Sequence, residues 1–164
     1  MEFDSRGNLF PIQKITISIE EFYEFFVSKF HNSRREELYN DYLKYIENFQ
    51  NLVSPDFCHW IDGSFITRKL LPKDLDFVTL LKVELYEENR NIIEKEFLAQ
   101  QARIAFPKLD SYIVKVYPYE EQTFWSKNPD LLYWDKQWST TRYNQNEIKF
   151  KKGYIEIKFG NGYE

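Results

Sequence analysis

Asp74 and Asp76 stand one residue apart, and nine residues (65–73) separate them from an upstream Gly63-Ser64 pair. Residues i and i+2 of a strand face the same side, so a strand opening at this point brings two carboxylates together. Without a cation such a pair is unfavourable, and one member tends to keep its proton. A Mg²⁺ ion resolves the conflict, because it takes hard oxygen ligands and leaves room for substrate phosphates. Gly63 lets the backbone approach a phosphate closely, and Ser64 adds a hydroxyl and an N–H as donors. Together these residue types suit phosphoryl or nucleotidyl transfer. The plain alternative is a strand capped by two acids beside Lys73. Either half of the pattern alone is weak evidence. The two halves in this spacing, each tied to a strand, favour the metal and nucleotide reading.

Elements able to hold these residues are legible around them. "FCHWI" (57–61) reads as a short strand ending at Asp62-Gly63-Ser64, and "DLDFVTLLKVEL" (74–85) as a strand covered on both faces. Upstream, "SIEEFYEFFVSKFH" predicts a helix over 18–31 with a capping box of Ser18 and Glu21. "SRREELYNDYLKYIENFQNLV" repeats the device with Ser33 and Glu36, and Leu38, Tyr42, Tyr45 and Phe49 form its apolar stripe. Residues 1–17 form an extended arm. Downstream, residues 87–106 predict a third helix with Ile93, Phe97 and Ile104 turned inward, and "DSYIVKVYP" (110–118) predicts a further strand. Residues 119–145 are rich in Trp and Tyr, with a helix expected near 119–128. "EIKFKKGYIEIKF" predicts a closing hairpin that turns at Lys151-Lys152-Gly153. The expected architecture is one α/β (α+β) domain over 1–164. Its small mixed sheet is flanked by helices, with two helices before it, a C-terminal β-hairpin, and a motif-bearing core over 57–118.

Composition narrows the function classes. The chain has 164 residues, 43% hydrophobic and 29% charged, which describes a globular domain large enough for a core. Its formal net charge of −4 argues against a broad nucleic-acid surface. One cysteine and two histidines exclude an internal disulfide and leave little for a thiolate or imidazole metal site. The opening residues do not read as a signal peptide, and no run approaches a membrane span, so a cytoplasmic protein with no membrane partner is the expectation.

At "WIDGSFITRK" and "PKDLDFV" the chain resembles the nucleotidyltransferase-fold superfamily. That superfamily includes DNA polymerase beta-like enzymes and the minimal nucleotidyltransferases of bacterial toxin–antitoxin pairs. With "FDSRGNLFPI", "SRREELYNDYLKYI", "YIVKVYP" and "KKGYIEI", the likeness extends over nearly the whole chain to an uncharacterised bacterial family of short stand-alone proteins. The resemblance implies transfer of a nucleoside monophosphate from a nucleoside triphosphate to a hydroxyl, with two Mg²⁺ ions. It implies Gly63 and Ser64 on the triphosphate, and Asp74 and Asp76 as metal ligands. A third carboxylate is then expected from a neighbouring strand, to bind the second metal and help deprotonate the acceptor hydroxyl, and the candidate is Asp110. Ser111 follows it where an apolar residue is usual, which leaves open a site that binds nucleotide without efficient transfer. A protein, a tRNA end or a small molecule would be the acceptor, and a toxin or antitoxin the partner protein.

Other residues are weighed against simpler roles. Arg68 and Lys69 lie between the motif halves, where they contact phosphates or are solvated turn charges. Arg34 and Arg35 either help bind an anionic acceptor or, more often, are surface charge, and Lys151 and Lys152 read as a polar turn. His59 and Cys58 read as packed core residues. Trp125, Trp134 and Trp138 make a nucleobase platform, a partner surface or, more often, cover for the core. The leading expectation is a Mg²⁺-dependent nucleotidyltransferase. Its rival is a catalytically degenerate module on the same fold that binds nucleotide or a partner protein.

Overall fold

The computed structural model describes residues 1–118 and 128–161. A small antiparallel hairpin comes first, of β1 (Glu2–Phe3) and β2 (Leu9–Phe10). After β3 (Lys14–Thr16), helix α1 (Ile19–Phe26) starts at the expected box, with Ser18 Oγ accepting the Glu21 N–H and Glu21 accepting the Ser18 N–H. A single 3₁₀ turn (Ser28–Phe30) leads to α2 (Ser33–Leu52). Its cap is Asn32, not Ser33: the Asn32 side chain accepts the N–H groups of Arg34 and Arg35. Asparagine equals or outranks serine as a cap, and here it starts the helix one residue before the expected Ser33.

The main sheet has five strands in the order β3-β7-β4-β5-β6, where β4 is Phe57–Asp62, β5 is Leu75–Lys82, β6 is Leu109–Val116 and β7 is Tyr154–Phe159. The β4–β5 and β4–β7 pairs are antiparallel, and the β5–β6 and β3–β7 pairs are parallel. The mixed α+β class is therefore as expected, but the closing hairpin is not. Only Tyr154–Phe159 forms a strand, and it slots between the N-terminal β3 and β4. Gly153 is not a turn glycine. A Cβ there would lie 2.4 Å from the Pro11 carbonyl oxygen, so it is the place where the arm crosses close to β7.

Residues expected as one helix over 87–106 are broken. Strand β5 ends at Lys82, and α3 (Val83–Glu88), α4 (Arg90–Ile92), a π-type turn (Ile93–Phe97) and α5 (Ala99–Ala105) follow. The wide turn and the extended Leu98 (ψ 148°) shift the phase of the last segment. Ile93 and Phe97 face inward as expected, whereas Ile104 is 78% exposed. The helix expected near 119–128 falls on 119–127, outside the described residues. Helix α6 (Pro129–Trp138) follows them.

Strand register divides the sheet into two faces. On one, Phe57, His59, Ile61 and Phe77 pack under Phe22, Phe26, Tyr42, Tyr45 and Phe49 of α1 and α2. His59 is fully buried there between Tyr42 Oη (2.8 Å) and Thr79 Oγ1 (3.0 Å), and burial pushes its pKa down to about 3. It is a neutral core imidazole, as the sequence suggests. Cys58 is buried too. The opposite face carries Trp60, Tyr112, Tyr154 and Glu156 and is partly covered by α6. Trp134 meets the Tyr112 ring at 4.9 Å, and Tyr154 Oη donates to Asp135 at 2.5 Å. Trp134 and Trp138 are thus cover for the sheet, and Trp125 lies outside the described residues. Among the described residues no helix is long and apolar enough to cross a membrane.

Candidate functional site

Cross-strand register assembles an acid row at one end of the sheet. Asp62, the last residue of β4, pairs with Asp76 of β5, and Asp76 pairs with Asp110 of β6. Directly opposed residues share a face, with Cβ atoms roughly 5 Å apart. Asp74, one residue before β5, belongs to the same face by alternation. The sequence motif thus delivers its two aspartates together, and Asp110 lies on the row where the third carboxylate is expected. Asp62 was missed. Its signal was present, since the residue ending "FCHWID" must lie near whichever residues open the adjoining strand.

Charge crowding shows at the centre of the row. Burial, followed by the charges of Asp74, Asp110 and Asp62, pushes the Asp76 carboxyl up to about 7. Gly63 makes the crowding possible. It adopts φ +78°, and a methyl group on it would come within 1.9 Å of Asp76 Oδ2. The carboxylate lies against a bare Cα, so glycine serves here both for its backbone and for the space it leaves. Ser64 begins a single 3₁₀ turn (Ser64–Ile66), which closes with Thr67 Oγ1 donating to the Ser64 carbonyl at 2.8 Å.

The loop between the motif halves is fixed from below by the two arginines first read as surface charge. That expectation is corrected. Arg35 is fully buried and donates to the carbonyls of Phe26 (2.8 Å), Phe65 (2.6 Å), Thr67 (2.9 Å) and Lys69 (2.6 Å). Its guanidinium lies 3.7 Å from the Phe30 ring centroid, a cation–π contact out of water. Burial lowers its pKa to about 10, so it stays charged at neutral pH. Arg34 donates to the Pro72 and Lys73 carbonyls, the latter at 2.5 Å. One helix turn thereby clamps both ends of the loop that joins Gly63-Ser64 to Asp74. Arg68 turns to the arm, donating to the Phe3 and Asp4 carbonyls at 3.3 Å, and Lys69 is exposed.

Protein cations occupy the two ends of the row. Lys152, expected in a polar turn, is instead buried and ion-paired with Asp62, and it donates to the Trp138 carbonyl at 2.9 Å. Arg103 of α5 pairs with Asp110 at 2.6 Å. Among the described residues no three His, Cys, Asp or Glu side chains gather closely enough to hold a metal ion unaided. What remains is Asp74 and Asp76, two hard-oxygen donors with crowded negative charge. That donor set fits a Mg²⁺ ion that completes its shell with water and phosphate oxygens.

The Lys152–Asp62 pair gives a direct prediction. Lys152→Met leaves a buried carboxylate beside Asp76 and should destabilise the protein by about 3–5 kcal/mol. The double variant Lys152→Met/Asp62→Asn should recover most of that loss in urea unfolding. If the double variant is no better than the single, the pair is not what the lysine serves.

A model of one protein family, described only as of unknown function, matches residues 1–158. No curated protein and no solved structure matches the chain.

Proposed function

We propose, for a chain that belongs to this family of unknown function (DUF6932), a Mg²⁺-dependent nucleotidyltransferase activity at the acid row. The observation that carries the reading is Asp76, driven up to about 7 by burial and three neighbouring carboxylates while its own carboxylate lies over Gly63. Negative charge held at such cost suits a site that works with a cation bound. Asp74 and Asp76 would hold Mg²⁺, which neutralises phosphate charge when bound. Gly63 and Ser64 would receive the triphosphate. The acceptor hydroxyl oxygen attacks the α-phosphorus, the bond to the β-phosphate oxygen breaks, and pyrophosphate leaves. Asp110 takes the hydroxyl proton.

A second reading rests on one contact. Arg103 holds Asp110, so a chain in which that pair persists would bind nucleotide without transferring it. The acceptor in the first reading is a protein, tRNA or small-molecule hydroxyl, and a toxin–antitoxin setting follows from the superfamily resemblance alone. The test is incubation with radiolabelled nucleoside triphosphates, Mg²⁺ and candidate acceptors, with nucleotide binding measured in parallel. Transfer by the wild type, lost in Asp110→Asn with binding retained, is the expected result. Binding without transfer, in wild type and Arg103→Ala alike, would establish the module instead. No Mg²⁺-dependent binding would end both.

A further inference from the structure

We infer that the cleft between the β1–β2 turn and the loop after the 3₁₀ turn binds a compact phosphoanion, such as pyrophosphate or the terminal phosphate of an ester. Its volume is about 360 Å³, and residues 5–8 form one wall and residues 67–69 the other. Arg6, Arg68 and Lys69 line it, and no acidic residue does, in a chain whose formal net charge is −4. None of the three makes a salt bridge among the described residues. Arg6 lies over the Phe150 ring at 4.0 Å with the Asp4 charge near it, and Arg68 bonds neutral carbonyls, so their charge is oriented and only partly offset. Oriented guanidinium groups match phosphate oxygens in forked geometry.

The walls are built before any ligand arrives. Arg68 N–H donates to the Gly7 carbonyl at 2.9 Å. Gly7 adopts φ +84°, and a Cβ there would come 3.1 Å from Arg68 Cβ, so the two walls meet at their base. Asp4 Oδ1 accepts the N–H groups of Arg6 and Asn8, both at 2.8 Å, which fixes the turn and directs that carboxylate to the backbone. Arg35 holds the carbonyls of Thr67 and Lys69 on the other side. Preorganised donors lose little freedom on binding. Gly63, Ser64, Asp74 and Asp76 do not line the cleft, so it is distinct from the acid row. The same geometry reassigns Arg68 and Lys69 from the nucleotide held at Gly63-Ser64 to a second anion. A small cluster of exposed positive charge in an acidic chain favours a compact anion over a long polyanion.

Isothermal titration with pyrophosphate in EDTA at low salt tests this, because chelation takes metal at the acid row out of the measurement. The wild type should bind, and Arg6→Ala/Lys69→Ala should bind at least about tenfold more weakly, each charge-assisted bond being worth roughly that factor. The same double variant should melt within a few degrees of the wild type, the loss of the Arg6–Phe150 contact included, and should keep the wild-type response to Mn²⁺, which reports the acid row separately. No binding by the wild type in the millimolar range, or equal binding by a folded double variant, would overturn the inference.

Discussion

Asp76→Asn is expected to weaken Mg²⁺-dependent nucleotide binding and transfer severely while making the metal-free protein more stable. Loss of one ligand from a two-carboxylate site should cost on the order of 10²–10³-fold in turnover. The stability gain follows from the crowding. In the unfolded chain Asp76 ionises near its ordinary 3.8, whereas burial and then Asp74, Asp110 and Asp62 raise it to about 7 in the fold. Between these values the folded state keeps a proton that the unfolded state has released, so stability falls as pH rises through that window. The span corresponds to an order of 4 kcal/mol, fully present above pH 7. Thermal unfolding in EDTA should therefore show variant and wild type close together near pH 4 and diverging toward pH 8, by up to about 10 °C. Parallel curves would mean that the carboxylate carries no such penalty, and the case for a cation there would fall with it.

Arg35→Met should be the most damaging single change to the fold. Four carbonyls of Phe26, Phe65, Thr67 and Lys69 share its donors, and methionine supplies none. Buried acceptors left unpaired cost about 1–3 kcal/mol each, offset in part by removal of a buried charge. The net loss should be several kcal/mol, comparable with the whole stability of a domain this size. Arg35→Lys should recover little, because an ammonium cannot fork to four oxygens as guanidinium does. Urea unfolding of both variants is the measurement. A midpoint for Arg35→Met within experimental error of wild type would show that the loop holds itself.

Local patterns and long-range pairings differ in how far the sequence exposes them. Ser18 and Glu21 announce α1 because a capping box is satisfied within four residues, and Tyr42, Tyr45 and Phe49 announce the buried stripe of α2. The juxtaposition of Asp74 and Asp76 was readable because period-two alternation alone puts both carboxylates on one face. Asp110 joined by resemblance, and the register then set it opposite Asp76. Arg35 and Lys152 were not readable. Each sits in a polar, charge-rich stretch, and only the tertiary fold brings Lys69 O or Asp62 to it. The closing hairpin failed for the same reason. "EIKFKKGYIEIKF" alternates on both sides of Gly153, but alternation says nothing about which strand a segment will join. Ile104 turned outward because the π-type turn and Leu98 change the phase, a defect that periodicity over 87–106 cannot reveal.

The position of β7 bears on how the molecule is made. Synthesis runs from the N-terminus, so β3, β4, β5 and β6 leave the ribosome with β4 lacking one neighbour and β3 lacking any, until Tyr154–Phe159 arrives to join them. Asp62 waits for Lys152 through the same interval. The nascent chain thus emerges with an open β-edge next to uncompensated acid, the charge acting as its own guard against pairing with a stranger.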